Sequence, residues 1–400
     1  MPDHTTTPAA APISRVVGTG SALAEGAPVP SSAGRPVRGE AAESRDGGAV
    51  PGTAAADIGD AGRAALRHHG DAEVRPGMLD FAVNVQGGAP PEWLRRRLAD
   101  RLGDLGRYPS ESEAEAVRAT VAARHGRTAG EVLLLAGAAE GFAMLPRLTP
   151  KLAAVIHPSF TEPELALREA GVPVARVILD SPYELASARV PEDADLVVLG
   201  NPTNPTSVLH PRAAIEALRR PGRIVVVDEA FADAVPGEPE SLAGQSYPDV
   251  VVLRSLTKTW ALAGLRCGYL LGPAPILARL NHGRAHWAIG TLQLEAIAAT
   301  SEPDAIAQAD AAAHRIAADR EAMIPRLRAL GVEVCEPAAG PFLLIRVPDA
   351  ELLRKRLADN DIAVRRGDTF PGLDNRFLRL AVRGPEAVDR LVAAIAAAGL

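Results

Sequence analysis

Cysteines, aromatic side chains and long apolar runs are all scarce in this chain of 400 residues. The spacing of its two cysteines, Cys267 and Cys335, fits neither a disulfide framework nor a metal site, so we expect reduced thiols and no metal. No stretch is apolar enough to span a membrane, and the N-terminus lacks a signal-peptide pattern, so we expect a cytoplasmic protein. The net charge of −6 gives no reason to expect nucleic acid or an anionic membrane as a partner.

Lysine is also rare, because only three of the 43 lysine and arginine residues are lysines: Lys151, Lys258 and Lys355. Arginine keeps its proton above a pKa of about 12, whereas a lysine can lose its proton and form a Schiff base with a carbonyl compound. A lysine retained in such an arginine-rich chain is therefore a candidate nucleophile. Lys258 is the strongest candidate, since it ends a Ser-Leu-Thr-Lys string that is followed by Arg266 in Gly-Leu-Arg-Cys-Gly.

Residues 1–60 differ in composition from the rest of the chain. They contain no Phe, Trp, Tyr or Lys and are rich in Ala, Pro, Gly, Ser and Thr. Such a segment cannot bury enough apolar surface to offset an ordering entropy of roughly 1–2 kcal/mol per residue. We predict a disordered N-terminal tail.

The remaining chain is long enough for two structured domains. Between residues 111 and 275, apolar runs alternate with helical periodicities, and most runs are continuous, which indicates strands buried on both faces of a mostly parallel sheet. We predict strands at 132–136, 153–157, 174–179, 196–200, 224–227, 250–253 and 268–271, with helices at 113–125, 140–148, 162–170 and 211–219. This βαβ pattern predicts a large, doubly wound α/β domain over residues 111–275.

A smaller α+β domain is predicted for residues 276–400, with residues 61–110 forming an N-terminal arm and part of that domain. A helical stretch spans 292–330 and breaks near 301–303, strands follow at 342–347 and 377–382, and helices at 350–360 and 385–398.

Polar residues follow several strands of the large sheet, where open α/β sheets bind their ligands. Asn204 lies in Asn-Pro-Thr-Asn-Pro after strand 196–200, where two prolines fix the backbone and the amide can donate a hydrogen bond. Asp228 ends strand 224–227, and a carboxylate there is costly unless it is paired. Phe160 follows strand 153–157.

The turn after strand 132–136 reads Gly-Ala-Ala-Glu-Gly, and its small residues would let an anion approach the N–H groups of a helix start. The candidates there are Ala138, Ala139 and Glu140. Taken singly, each of these motifs has an ordinary alternative, such as a connecting turn, a core aromatic residue, a capping carboxylate or a surface lysine.

Together and in this order, the motifs resemble those of pyridoxal 5′-phosphate (PLP) enzymes with the aspartate aminotransferase fold, fold type I, over about residues 65–400. The resemblance implies PLP bound covalently to Lys258, with Asp228 on the pyridine nitrogen, Asn204 on the ring hydroxyl and Phe160 stacked on the ring. It also implies the remaining cofactor-binding residues: Ala138, Ala139, Glu140, Phe231, Ser255 and Arg266.

Two arginines are candidates for binding a small-molecule substrate. Arg379 lies in an otherwise apolar strand, and its planar fork suits a carboxylate. Arg365 precedes it and could hold a second anion, such as a phosphate. In the resembled family Asn84 also lies near the substrate.

The closest resemblance is to the branch that contains histidinol-phosphate aminotransferases and the threonine-phosphate decarboxylases of cobalamin biosynthesis. The shared strings are Leu-Asp-Phe-Ala-Val-Asn at 79–84, Pro-Pro at 90–91, Tyr108-Pro109, Val-Arg at 364–365 and Phe-Pro-Gly-Leu at 370–373. In that branch Tyr108 would reach the PLP phosphate of a neighbouring subunit, which implies a homodimer.

Two features favour the cobalamin side of this branch. Phe231 stands where histidinol-phosphate aminotransferases usually have Tyr, and His-His-Gly-Asp at 68–71 is similar to the His-Gly-Gly-Asp opening of the cobalamin proteins. Two departures bear on the substrate: Gln-Gly-Gly-Ala at 86–89 replaces the family's Asn-Pro-x-Gly, and Gly290 replaces an Asn.

We therefore expect an enzyme of the threonine-phosphate decarboxylase type, acting on a small phosphorylated amino acid or amine. A histidinol-phosphate or related aminotransferase is the alternative. A PLP-binding regulator without catalysis is a remote third possibility, because the chain before residue 60 has no apolar helix for a DNA-binding motif.

Overall fold

A computed structural model describes residues 59–399. The predicted tail at 1–60 lies outside this range apart from its last two residues, which begin the first helix. The helices are α1 (Gly59–Leu66), α2 (Glu92–Asp100), α3 (Glu111–His125), α4 (Ala138–Met144), α5 (Glu162–Glu169), α6 (Arg212–Glu216), α7 (Ala274–Asn281), α8 (Thr291–Thr300), α9 (Pro303–Arg328), α10 (Ala350–Asp359) and α11 (Pro385–Ala398).

The thirteen strands of these described residues form three sheets. They are β1 (Leu79–Asp80), β2 (Val132–Leu135), β3 (Ala153–His157), β4 (Val174–Ile178), β5 (Leu196–Gly200), β6 (Ile224–Asp228), β7 (Val250–Ser255), β8 (Gly268–Leu271), β9 (Glu333–Val334), β10 (Phe342–Arg346), β11 (Ile362–Ala363), β12 (Arg365–Arg366) and β13 (Phe377–Ala381).

The large sheet has seven strands in the order β2-β8-β7-β6-β5-β3-β4. Six of them, β2 to β7, run in the same direction, whereas β8 is antiparallel to both of its neighbours. The predicted doubly wound, mostly parallel α/β fold is therefore confirmed. Strand β7 is buried along its whole length, as expected for a strand covered by helices on both faces.

The antiparallel direction of β8 determines where Lys258 lies. A parallel connection would cross a face of the sheet, whereas an antiparallel neighbour can be joined by a loop at one edge. The loop from β7 to β8 therefore stays at the carboxyl edge of β7, next to the end of β6. Lys258 lies on this loop.

The smaller sheet is antiparallel, in the order β12-β13-β10-β9. The N-terminal arm packs on it: β1 pairs with β11, and the fully buried Phe81 donates its N–H to Ala363 O at 2.8 Å and accepts from Ala381 N at 2.8 Å. The arm is thereby held close to β13, which carries Arg379.

Several element predictions need correction. The helix predicted at 140–148 begins earlier, at Ala138, and its second half is a 3-10 turn; the helix predicted at 211–219 is shorter, ending at Glu216. The break predicted near 301–303 is confirmed, because α8 ends at Thr300 and α9 begins at Pro303. No described helix combines the length and the apolar character needed to cross a membrane.

Candidate active site

A cavity of about 550 Å³ opens beyond the carboxyl ends of the large-sheet strands, facing the smaller sheet. Its volume is in the range of small-molecule sites. Most of the residues predicted for the site line this cavity: Asn84, Ala138, Ala139, Phe160, Asn204, Asp228, Phe231, Ser255, Lys258, Arg266, Arg365 and Arg379. The structure thus gathers residues from the arm and from both sheets around one space.

Lys258 supplies the amine of this site. Burial, together with the nearby cations Arg379 and Arg266, lowers the pKa of its ammonium to about 8 from the usual 10.5. Within the part of the chain that the structure describes, its side chain has no ion pair. An amine in this state can act as a nucleophile close to neutral pH.

Asp228 is a carboxylate without a cationic partner among the described residues. It accepts only the Ala230 N–H, at 3.0 Å, and burial raises its pKa to about 7. The next residue, Glu229, turns away from the cavity and binds Arg254 and Ser241. Asp228 therefore suits a ligand that brings its own positive charge, such as a protonated ring nitrogen.

Asn204 is oriented by Arg379, whose guanidinium donates to the Asn204 Oδ1 at 2.7 Å. Since the amide oxygen is engaged in this way, the amide nitrogen is left to donate into the cavity. Phe231 also lines the cavity and packs edge-on against Phe342, with ring centroids 5.0 Å apart. Phe231 offers no hydroxyl, so Asn204 is the donor on this side.

The turn before α4 forms a cradle with Arg266. Gly137 has a φ of +85°, and a Cβ on it would lie 2.7 Å from the Arg266 guanidinium, so the position requires glycine. Beside this turn the Ser255 and Thr257 hydroxyls lie 2.8 Å apart and both line the cavity. Two hydroxyls, one guanidinium and the backbone of Ala138 and Ala139 are donors that suit a phosphate.

Glu140 was predicted for this cradle, but its carboxylate does not line the cavity. It folds back to accept the Ala136 N–H at 2.6 Å and pairs with Arg284 at 2.7 Å. The motif placed the residue correctly on the first turn of α4, yet its side chain neutralises an arginine instead of facing the ligand.

Tyr108 also lies outside the cavity of its own chain. Its side chain is 75% exposed and stacks on Trp287, with ring centroids 4.4 Å apart, and Trp287 is itself 60% exposed. Leu102 and Leu105 are exposed nearby in sequence. This position is compatible with a contact to a second subunit.

Arg365 and Arg379 face each other directly across β12 and β13. Both are buried, at 2% and 5% exposure, and burial lowers the pKa of Arg365 to about 10 and that of Arg379 to about 9. Their hydrogen bonds go to neutral acceptors such as His68 O, Thr369 Oγ1, Ala82 O and Asn204 Oδ1. Two like charges in opposed positions destabilise a sheet, so the pair is suited to an anionic ligand.

Several cavity-lining residues were missed by the sequence analysis, namely His69, Asp71, Glu162, Thr257 and Phe370. The His-His-Gly-Asp string had been noticed, but nothing local assigns its side chains to the site. Only tertiary packing brings the arm there: a Cβ on Gly70 would lie 2.3 Å from Ala82 O, and Arg365 binds His68 O.

Asn84 is nearly fully buried in the same cavity, and neither of its amide atoms has a hydrogen-bond partner among the described residues. Unsatisfied buried amides are rare in folded proteins, so this one indicates a place for a polar ligand.

An amine with a lowered pKa, a carboxylate without a cation, an amide donor, an aromatic ring and a phosphate cradle are the groups needed to hold PLP. The fold and this site together define a PLP-dependent enzyme of fold type I.

Comparison with known proteins identifies the family. A family model for aminotransferases of class I and II matches residues 76–395. The chain therefore belongs to the class I and II aminotransferases, and its cofactor is PLP.

The similar proteins include enzymes named for two different reactions. The chain is 60% identical over 333 residues to a protein of Mycobacterium tuberculosis named histidinol-phosphate aminotransferase, covering 83% of this chain and 91% of that protein. It is 29% identical to the threonine-phosphate decarboxylase of Salmonella typhimurium, covering 80% and 90%. The structure of histidinol-phosphate aminotransferase from Sinorhizobium meliloti in complex with PLP matches the fold with a TM-score of 0.69 at 20% identity, covering 80% of this chain and 90% of that one.

Proposed function

We propose that this enzyme transfers an amino group between histidinol phosphate and 2-oxoglutarate. The mycobacterial relative at 60% identity supports this choice over the decarboxylase expected first from the sequence. The structural observation that carries the proposal is the opposed pair Arg365 and Arg379, buried without a carboxylate partner among residues 59–399. Both substrates offer this pair an anion: a phosphate on one and two carboxylates on the other.

PLP supplies a cationic ring that accepts electrons from the Cα of the amino substrate. In this proposal Lys258 attaches the cofactor and moves the proton at the substrate Cα, for which its lowered pKa suits it. Asp228 keeps the pyridine nitrogen protonated, and Asn204 donates to the ring oxygen. Both roles follow from groups that lack another suitable partner in the cavity.

The remaining predicted cofactor residues act on the phosphate and the ring face. Ser255, Arg266 and the backbone of Ala138 and Ala139 hold the phosphate, and Phe160 stacks on the ring. The carboxylate of Glu140 plays no direct part, since it is paired with Arg284.

Each of the two arginines binds a different substituent on the substrate Cα. In glutamate, Arg379 binds the α-carboxylate and Arg365 the distal carboxylate. In histidinol phosphate, the phosphate ester branches from Cα where the carboxylate of an amino acid would be, so Arg379 takes the phosphate. The imidazole then occupies the place of the glutamate side chain.

We also propose that the enzyme is a homodimer in which Tyr108 reaches the phosphate cradle of the partner. The exposed stack of Tyr108 on Trp287 supports this, because large apolar side chains in such a cluster usually mark an interface. Light scattering measures the mass, and a monomer with full activity would contradict the proposal.

Threonine-phosphate decarboxylation is the second candidate, favoured by Phe231 and by the Salmonella relative. The two reactions differ in which bond to Cα lies perpendicular to the ring. The purified holoenzyme should therefore be offered histidinol phosphate with 2-oxoglutarate, and phosphothreonine alone.

Glutamate formation and carbon dioxide release are scored separately, with Lys258→Ala as the inactive control. Glutamate formed from 2-oxoglutarate, with histidinol phosphate as the amino donor, supports the proposal, whereas carbon dioxide from phosphothreonine without transamination overturns it. Borohydride should fix the cofactor at Lys258 and not at Lys151 or Lys355.

A further inference from the structure

The arm residue Asp71 adds a carboxylate to the cavity that Arg365 and Arg379 line. The Asp71 carboxylate lines the cavity and has no hydrogen bond or ion pair among the described side chains. Burial is the main cause that lowers the pKa of Lys258 and of Arg365, and the charge of Asp71 opposes that shift in both, while all three residues line the same cavity. A carboxylate here weakens the attraction for a second anion at Arg365.

A second acidic group lines the same cavity as Asp71. Glu162, at the start of α5, pairs with His69 at 2.6 Å, and both side chains line the cavity. The His69 ring lies 5.4 Å from the Phe160 ring at a tilt of 34°. An aromatic ligand that enters here would meet the His69 ring and the carboxylates of Asp71 and Glu162.

Asn84 provides independent evidence that a polar ligand binds next to the arm. Its side chain is 3% exposed and both amide atoms lack partners among residues 59–399. The arm passes close by, since Gly70 is in contact with the Ala82 carbonyl, two residues before Asn84. Such an amide can donate to one atom of a ligand and accept from another.

We propose that Asp71 determines specificity by accepting a hydrogen bond from the imidazole ring of the substrate, with the His69–Glu162 pair beside it, while Arg379 holds the phosphate. This inference rests on the proposed function and extends it to the recognition of the second substituent on Cα. Both protonation states of imidazole have an N–H donor, so a carboxylate accepts from either. Phosphothreonine would instead place a phosphate beside Asp71, which the repulsion disfavours.

The same place must also take the distal carboxylate of glutamate, which binds Arg365. Arg365 and Asp71 thus bind different substrates. The Arg365 cation binds the distal carboxylate of glutamate, and the Asp71 anion binds the imidazole of histidinol phosphate. Substitution of Asp71 should therefore move the two half-reactions in opposite directions, a result that a loss of folding cannot produce.

The test measures the two half-reactions of the holoenzyme by the absorbance change of its cofactor, in wild type, Asp71→Asn and the matched control Asp180→Asn. The substrates are histidinol phosphate, glutamate and 2-aminobutyl phosphate, which keeps the amine and phosphate but lacks the imidazole. Where 2-aminobutyl phosphate does not react, its Kd is measured by competition.

Asp71→Asn should reduce the preference for histidinol phosphate over 2-aminobutyl phosphate by about tenfold, as expected when a charge-assisted hydrogen bond is replaced by a neutral one, and should raise the efficiency with glutamate. Asp180 is exposed, and its substitution should change neither. An equal loss on all substrates, or an unchanged preference, overturns the inference while the transaminase activity of the wild type stands.

Glu162→Gln adds a second criterion. If His69 bound the phosphate as a cation, this variant would weaken histidinol phosphate and 2-aminobutyl phosphate equally, and the imidazole assignment would be wrong. If the wild type does not transaminate histidinol phosphate at all, the proposed function fails first and this inference fails with it.

Discussion

Lys258 should capture PLP with a pH dependence centred near 8. Burial and the cations Arg379 and Arg266 lower its pKa to about 8 from 10.5. Only the neutral amine attacks a carbonyl, and each pKa unit changes the neutral fraction about tenfold below the pKa. At pH 7 roughly a tenth of Lys258 is then neutral, compared with roughly 3 in 10,000 for an ordinary lysine, an advantage of about 300-fold.

The assay mixes apoenzyme with PLP and follows the absorbance of the bound cofactor from about pH 7 to about pH 10, a range in which free lysine is still mostly protonated. The sign follows from the depressed pKa: the rate constant should rise with pH below about 8 and level off above it. Free PLP with a blocked lysine is the reference, and its rate should rise to about pH 10.

Substitution of Arg379 tests the electrostatic part of this explanation. Arg379→Met removes a cation that disfavours the ammonium, so the midpoint should move to higher pH, whereas Arg379→Lys keeps the charge and should retain most of the shift. A parent midpoint near that of free lysine, or a midpoint that falls in Arg379→Met, would refute the reasoning.

Three further predictions concern other parts of the molecule. Asp228→Asn should fold but lose at least about a hundredfold in turnover, and turnover within about threefold of the parent, roughly 0.7 kcal/mol in barrier, would contradict its role. Arg284→Gln should raise the Kd for PLP about tenfold in a fluorescence titration, because it leaves the Glu140 carboxylate unpaired beside the cradle, and adding Glu140→Gln should restore binding. A chain that begins at residue 57 keeps α1 whole and should melt within about 2 °C of the full chain; a larger drop would show that the preceding segment stabilises the fold.

The large sheet could be predicted because the composition of each strand shows that the strand is buried. Continuous runs such as Val225-Val226-Val227 are apolar at every position, and a strand covered on both faces needs this pattern. The two-residue strands β1, β9, β11 and β12 could not be predicted in this way. Their pairing is defined by distant partners, as Leu79 with Ile362, and two residues show no periodicity.

The site was predictable where a residue directly follows a strand of this sheet. Asn204 lies in the loop after β5, and Asp228 is the last residue of β6. The position of each strand therefore fixes the position of the polar side chain at its end. Asp71 could not be assigned in this way, because the arm reaches the cavity through the packing of Phe81 and the contact of Gly70 with Ala82. Glu140 shows what the motif leaves open: its backbone is where the motif indicated, whereas the pairing of its carboxylate with Arg284 depends on tertiary packing.

The opposed arginines show that a residue pair unfavourable for sheet stability can indicate function more clearly than a favourable pair. Arg365 and Arg379 are buried and directly paired, and neither forms an ion pair with a carboxylate among the described residues. A sheet selected for stability alone would place apolar or oppositely charged residues there. An anion that binds only the folded protein stabilises it by RT ln(1 + [L]/Kd). Bound substrate therefore offsets the free-energy cost of burying this pair of arginines. The same reasoning explains the free carboxylate of Asp71. A site that binds two different substrates in turn needs one group for each of them, and each group has no partner while the other substrate is bound.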